Sequence, residues 1–521
     1  MKLRGRRKRR IRFIAVSIAA AVLLAAAAYA YFGTELFRPA SPSFTPEPTP
    51  NWDAPVPTPG ETSPAPEETP PVSPSPDETE ASVREPLTRS LYEVALTVFA
   101  NEQQPYLKGS MRLTYVNDSK DTLYEVKLRL YPNDVSPGCM SVSDVACEDE
   151  AAFYTLEGEN KSLLNIRLTD EVAPGGMAEV FLNFNIALVR TGNRFGVNST
   201  GIMLGNALPI AAVYENGAWR ADAYSGVGDA FYSACADYRV AVNVPANWRL
   251  AHTGSLIEQT NEDGVSTWYI AAANVREFAM ALMNEPSVDM RWTDEDVAIR
   301  AYGTNRYHAM HAADAALAAL NYFNEKIGSY PYDTFYVVPF DMSGGMEYPG
   351  LVMVCADYLR DEELTEAALV IGHETAHQWF YGVVGSDQIN APWLDESLVE
   401  YLGFDFLRSY LGEKKADKMR DERFAALTNY NRAIRIDASL YEFPDKDYFY
   451  VVYACGYRLY DELYNKLGPS AFYGALSTYF NAHSFAIAGK EDIIAAFSEA
   501  AGEDLSDWFE QRLAVAPGAA S

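Results

Sequence analysis

Between residues 90 and about 287, apolar and polar positions alternate with period two. Met111, Leu113 and Tyr115 share one side of such a run, as do Tyr124, Val126, Leu128 and Leu130. Turn clusters such as Asn117-Asp118-Ser119 and Pro174-Gly175-Gly176 punctuate the runs. This predicts an N-terminal β-sandwich-like domain over 89–287. Past about residue 295 the period lengthens to that of a helix. Residues 308–326 are Ala-rich, with Gly328 and Pro331 beyond; strand-like 334–339 and 351–355 then flank a Gly-rich turn. From 365 to about 384 the chain is apolar at helical spacing, with Gly382 and Gly385 near its end. A further helix opens at Trp393, behind Pro392, and stops near Gly412. The order predicts a multidomain α+β chain whose second part, 288–521, is a mixed α/β domain.

The N-terminal end reads differently. Residues 1–12 hold eight Lys or Arg and no acid, and residues 13–32 are almost wholly apolar, a length that spans a bilayer. The basic flank predicts a cytoplasmic tail and a single-pass cell-membrane anchor, with the body extracellular. A cleaved signal peptide is the alternative, since Ala28-Tyr29-Ala30 resembles a cleavage site. Residues 33–88 form a Pro/Ser/Thr/Glu-rich linker; fifteen of the 29 prolines fall between Pro39 and Pro86. Such composition builds no core and predicts a disordered stalk.

Charge and cysteine usage narrow the options further. The net charge of −29, more negative still beyond the basic tail, argues against a nucleic-acid partner. Cys139, Cys147, Cys235, Cys355 and Cys455 show no metal-ligand spacing, and in an extracellular body Cys139 and Cys147 are the candidates to pair.

The chemistry concentrates in His373-Glu374-Thr375-Ala376-His377, followed by Glu396. On a helix, His373 and His377 lie one turn apart and can present two imidazoles to one metal, with Glu374 facing the substrate side. A catalytic zinc takes three protein ligands and keeps a position for water; Glu396, on a second helix, supplies the third. Glu400, four residues on, shares its face and is a candidate hydrogen-bond partner for His373 or His377. His308 and His311 read as a solvated helix start, and His252 and His483 as structural or surface residues.

The stretch HETAHQWFYGVVGSDQINAPWLDESLVEY resembles the zinc signature of the thermolysin-like aminopeptidases, the gluzincin group that includes aminopeptidase N. Upstream, Gly344-Gly345-Met346-Glu347-Tyr348 resembles that family's G-x-M-E-N exopeptidase motif. Downstream, Tyr453-Ala454-Cys455-Gly456 resembles the Y-x-K-G segment bearing its catalytic tyrosine. The resemblance covers about residues 90–515, strongly in the second half. It implies a thermolysin-like catalytic domain with one Zn2+ per chain on His373, His377 and Glu396. It implies Glu374 as general base, Tyr453 as oxyanion stabiliser, and Glu347 with Gly344, Gly345 and Met346 as the site for a peptide's free N-terminus.

Tyr348, Cys455, Asp395 and Ser397 depart from the family pattern, and no Arg-rich segment with F-P-C is present; Asn206-Ala207-Leu208-Pro209-Ile210 stands in its place, so a second amine-binding acid is unassigned. The chain stops soon after residues 504–509, where relatives continue into a helical domain; an uncapped site should admit longer peptides. The leading expectation is an extracellular, membrane-tethered zinc aminopeptidase acting on peptides with a free N-terminus. A zinc endopeptidase of the same fold and a non-catalytic surface binding protein are the alternatives.

Overall fold

The computed structural model describes residues 87–191, 193–360, 364–425 and 434–514. The anchor expected at 13–32, and all but the last two residues of the linker at 33–88, lie outside the described residues. Among the described residues, no helix is long and apolar enough to cross a membrane.

From Leu91 to Asn284 the chain is built of strands, interrupted by one short helical turn at Pro132–Val135. An eight-stranded sheet runs, edge to edge, through Ser255–Glu262, Val265–Val275, Ala236–Pro245, Leu91–Phe99, Tyr106–Val116, Met177–Ala187, Met140–Cys147 and Glu150–Ala151. Its inward positions, among them Met111, Leu113, Val180 and Leu182, share one apolar core with residues from two four-stranded sheets, such as Val126, Leu164, Ile202 and Leu282. One expected alternation fails. Leu123–Arg129 pairs with Leu163–Val172 through a bulge between Leu123 and Glu125, which shifts the facing by one residue. Leu123 is therefore buried, and Tyr124, expected on the inner face with Val126, is 63% exposed. Cys139 and Cys147 are unpaired, and all five cysteines are free thiols.

The second half centres on a five-stranded sheet in the order Ser287–Trp292, Ala298–Gly303, Thr334–Phe340, Leu351–Cys355, Gly345–Met346. Its three inner strands are parallel, and the crossover between the first two of these is helix α1, Arg306–Lys326. The buried face of α1 is mostly alanine, at Ala309, Ala312, Ala313, Ala315, Ala316 and Ala319, with Leu320 and Phe323 toward its end; the small residues let the helix lie close to the sheet. Every residue of Thr334–Phe340 is buried, as expected for a central parallel strand covered on both sides. Phe335 and Val337 join the helical core, whereas Tyr336, Val338 and Phe340 join the β core.

Beyond the sheet come α2 (Thr365–Ala376), α3 (Glu396–Leu411) and α4 (Glu413–Arg423), followed by a π-helical turn at Phe449–Cys455 and further helices to Leu513. Helix α2 is shorter than its apolar pattern suggested. It ends at Ala376, and His377 to Val384 folds back in wide turns, with Gly382 N donating to His377 O at 2.9 Å and Val384 N to Trp379 O at 2.9 Å. Tyr381 adopts φ +122°, outside the usual range of a residue with a Cβ. The reason lies on the other half of the molecule. Arg276, buried at the end of the β domain, donates to Tyr381 O (2.8 Å), Ser233 O (2.7 Å), Ala486 O (3.1 Å) and Val383 O (3.4 Å). Two carbonyls of the folded-back segment, Tyr381 O and Val383 O, are thus partnered by a guanidinium that local sequence does not reveal.

Candidate active site

Helices α2 and α3 cross closely because glycine stands where they meet. A Cβ on Gly372 would lie 2.3 Å from the Phe406 ring, and one on Gly403 would lie 3.3 Å from His373 Cα. The crossing brings Glu396, at the first turn of α3, to both histidines. Its Oε2 atom is 3.3 Å from His373 Nε2 and 3.5 Å from His377 Nε2. One ligand atom from each of the three residues lies within 4.8 Å of the others. Glu396 Oε2 is buried, yet it finds no well-formed hydrogen bond among these neighbours. A buried carboxylate oxygen facing two imidazole nitrogens without a donor of good geometry is the arrangement a cation completes, and two His and one Glu are a donor set that zinc takes.

Electrostatics agree. Burial works to lower the pKa of His373, but the carboxylates of Glu396 and Glu400 close beside it outweigh that and raise the imidazole to about 9. Burial works to raise Glu396, and His373 and His377 hold it below the usual carboxylate range instead. The concentrated negative charge attracts protons here, as it would a metal. Glu400 is buried, with Oε2 3.0 Å from His373 Nδ1, close enough to pair although the two atoms do not form a well-directed hydrogen bond.

The cleft beside these ligands, about 400 Å3 in volume, is lined by Glu374, Glu347, Tyr453, Gly344 and Gly345 among others. Glu374 sits against Gly345 so closely that a Cβ there would lie 2.2 Å from its Oε1. Burial raises its carboxyl to about 7, against the pull of His373 and His377, within the range of a neutral-pH proton acceptor. Tyr453 stacks on His373 with ring centroids 5.8 Å apart; burial and Glu396 push its phenol well above the ordinary value, so it remains an O–H donor. Glu347 is buried at the foot of the cleft and receives Gln388 Nε2 at 3.0 Å. Burial and neighbouring Asp229 push its carboxyl upward. Met346 is not among the cleft residues: its side chain lies in the β core.

The departures from the expected motifs have local partners. Asp395 accepts from Glu396 N at 2.9 Å and shares Gln388 Nε2, at 3.0 Å, with Glu347. Ser397 Oγ donates to Val452 O at 2.6 Å, in the π turn just before Tyr453, and Gly456 makes room, since a Cβ there would lie 2.0 Å from that hydroxyl. Cys455 Sγ donates to Tyr450 O at 2.8 Å within the same turn. Tyr348 reaches the β domain and donates to Asn206 Oδ1 at 2.6 Å; Asn206 in turn donates to Glu277. Sequence reasoning missed Asp229, which lines the cleft and is ion-paired with Arg194. Its only local signal is the turn Gly226-Val227-Gly228 before it. Of the other histidines, His308 engages Thr304 and Asn305 at the start of α1. His252 is buried, with Nδ1 3.1 Å from Thr253 O and Nε2 3.3 Å from the Tyr336 hydroxyl.

Comparison with known proteins bears on this geometry. The profile of the peptidase family M1 domain matches residues 311–511. Aminopeptidase N of Lactococcus lactis is 30% identical over 226 residues, 38% of this chain and 26% of that protein. Aminopeptidase 2 of Candida albicans is 26% identical over 238 residues, 42% of this chain and 26% of that protein. The aligned region thus spans about a quarter of the length of these relatives. An M1 zinc metallopeptidase from Deinococcus radiodurans shares the fold at a TM-score of 0.59 and 17% identity, over 81% of this chain and 93% of that one.

Proposed function

We propose that this chain, a member of peptidase family M1 through residues 311–511, is a zinc-dependent aminopeptidase that removes N-terminal residues from peptides with a free amine. The observation that carries the reading is the convergence of His373, His377 and Glu396 on one point, with Glu374, Tyr453 and Glu347 around the same cleft. Zinc on these three residues would supply Lewis-acid polarisation and acidify water. The chain's own groups do the rest. Glu374 takes a proton from the attacking water and delivers it to the departing nitrogen. Tyr453, protonated at any physiological pH, donates to the oxygen on which charge develops. Glu347 pairs with the substrate ammonium, and that cation stabilises the charged carboxylate which burial alone disfavours.

Pairing at Glu347 selects chain ends over internal bonds, which separates this reading from an endopeptidase. The proposal keeps residues 13–32 as an anchor and places the body outside the cell, on the pattern of residues 1–32 alone. The test is hydrolysis of aminoacyl fluorogenic amides and their N-acetylated counterparts, by wild type and by Glu374→Gln. Cleavage of free-amine substrates alone, lost in the variant and after chelation, is expected. Cleavage of blocked substrates would replace the reading with an endopeptidase, and full activity in Glu374→Gln would overturn the assignment of the base.

A further inference from the structure

The metal centre draws its ligands from two separate helices, so something must hold those helices in register. His373 lies on α2, His377 caps the end of that helix, and the glutamate comes from α3. A displacement of about half an ångström between the helices is enough to degrade a ligand set. The glycine contacts at Gly372 and Gly403 permit close approach but do not by themselves fix it.

The geometry points to Arg423 as the positioning residue of the metal centre, one guanidinium that braces both ligand helices and the turn bearing Tyr453. Its Nη1 lies 3.0 Å from Glu366 Oε1 in the first turn of α2. Its Nε lies 2.9 Å from Glu400 Oε1 on α3. The other oxygen of Glu400 is the one 3.0 Å from His373 Nδ1, so the chain from guanidinium to metal ligand passes through a single carboxylate. The face of the guanidinium also lies over the ring of Phe449, 5.1 Å from its centroid, at the start of the π turn that carries Tyr453.

Two observations separate this from an ordinary surface ion pair, which contributes little. The Glu400 side chain is 1% exposed, and a buried carboxylate needs a partner of fixed geometry. Helix α4 also presents Arg423 from an anchored end, since the neighbouring Phe424 packs its ring on Phe404, with centroids 5.5 Å apart, and on Tyr457, at 5.4 Å. The planar fork of Arg reaches two carboxylates at once, whereas Lys offers a point charge.

The inference rests on the zinc reading and is tested apart from catalysis. Zinc release into excess chelator is followed for zinc-loaded full-length wild type, Arg423→Lys, Arg423→Met and Glu366→Gln, beside the melting temperature of each apoprotein. Arg423→Lys, which keeps the charge and loses the fork, should release zinc about tenfold faster, in the range that outer-shell partners of metal ligands show. Glu366→Gln, which leaves the link to Glu400 in place, should show a smaller acceleration, with apo melting little changed in both. Release at the wild-type rate in Arg423→Lys would overturn the role. So would slower release in Arg423→Met alone, because removing a nearby cation favours a dication without any bracing, and so would acceleration that merely tracks a loss of apo stability. A wild type that takes up no zinc would defeat the zinc reading itself. A zinc-binding wild type with an indifferent Arg423→Lys defeats only the bracing.

Discussion

Replacing Arg276 by Met tests whether the broken end of α2 is held from the β domain. The guanidinium is buried, at 2% exposure, and makes three well-formed bonds to carbonyls at 2.7, 2.8 and 3.1 Å, with a fourth, longer one at 3.4 Å. Methionine fills most of the volume but donates nothing. Ala486 O keeps Gly385 N at 2.9 Å and Val383 O keeps Phe485 N at 2.8 Å, so two buried acceptors, Tyr381 O and Ser233 O, lose their partner at about 1–3 kcal/mol each, about 2–6 kcal/mol gross. Part is recovered because a cation no longer has to be desolvated, leaving a net loss of about 3 kcal/mol. For a body of about 430 residues, an unfolding entropy of roughly 2.1 cal/mol/K per residue makes this a fall in Tm of about 3 °C. Scanning calorimetry on the apoprotein is the assay. Arg276→Lys should recover only part of the loss, because one ammonium cannot reach carbonyls spread around a planar fork. A fall below about 1 °C in Arg276→Met, or full recovery with Lys, would refute the argument.

Ser397→Ala removes the 2.6 Å bond to Val452 O beside Tyr453. It is expected to lower kcat about tenfold with KM nearly unchanged, as loss of a transition-state donor's alignment should; a raised KM at constant kcat on an aminoacyl amide would contradict it. His252 is pushed by burial down to about 4 from its ordinary 6.5. The unfolded chain therefore binds the extra proton first, and stability should fall by roughly 3 kcal/mol as pH drops from about 6.5 to about 4. Denaturant titrations of wild type and His252→Gln across that window should diverge by this amount, and parallel profiles would exclude the assignment. Glu277, raised by burial to about 8, acts in the opposite sense: its contribution is lost as pH rises from about 4.5 to about 8. Glu277→Gln should therefore flatten the neutral side of the same curve.

Local periodicity was enough to read the strands of the first half, α1, and the helices that carry His373 and Glu396, because those elements are defined by which of their own faces is buried. The candidate metal ligands were legible for the same reason: an i, i+4 pair is a local fact. What escaped were side chains whose partners are distant in sequence. The apolar run past His377 has a helical pattern, and the folded-back segment found there is held by Arg276, about a hundred residues earlier. Arg423 sits in a strongly charged helix where nothing distinguishes it from its neighbours. Asp229 is one acid among many in an acidic chain. Tyr124 was assigned to the wrong face because a bulge leaves no trace in the alternation until the pairing strand is known. Ser397 and Tyr348 depart from the motif, and in the fold each has a partner, Val452 and Asn206; Gly456 gives space to the first, and Gly205, where a Cβ would lie 2.1 Å from the Tyr348 hydroxyl, to the second.

The central strand Thr334–Phe340 has consequences for how this protein can be handled. With Tyr336, Val338 and Phe340 turned one way and Phe335 and Val337 the other, neither half owns it. A truncated product beginning near residue 288 would present Tyr302, Tyr336, Val338, Leu351 and Met353 to water as a continuous greasy plate, the surface that makes recombinant fragments stick to one another. Recombination between homologues would meet the same obstacle, since swapping either half alone asks a foreign surface to fit this strand's opposite side. The two halves should be inherited, expressed and melted together.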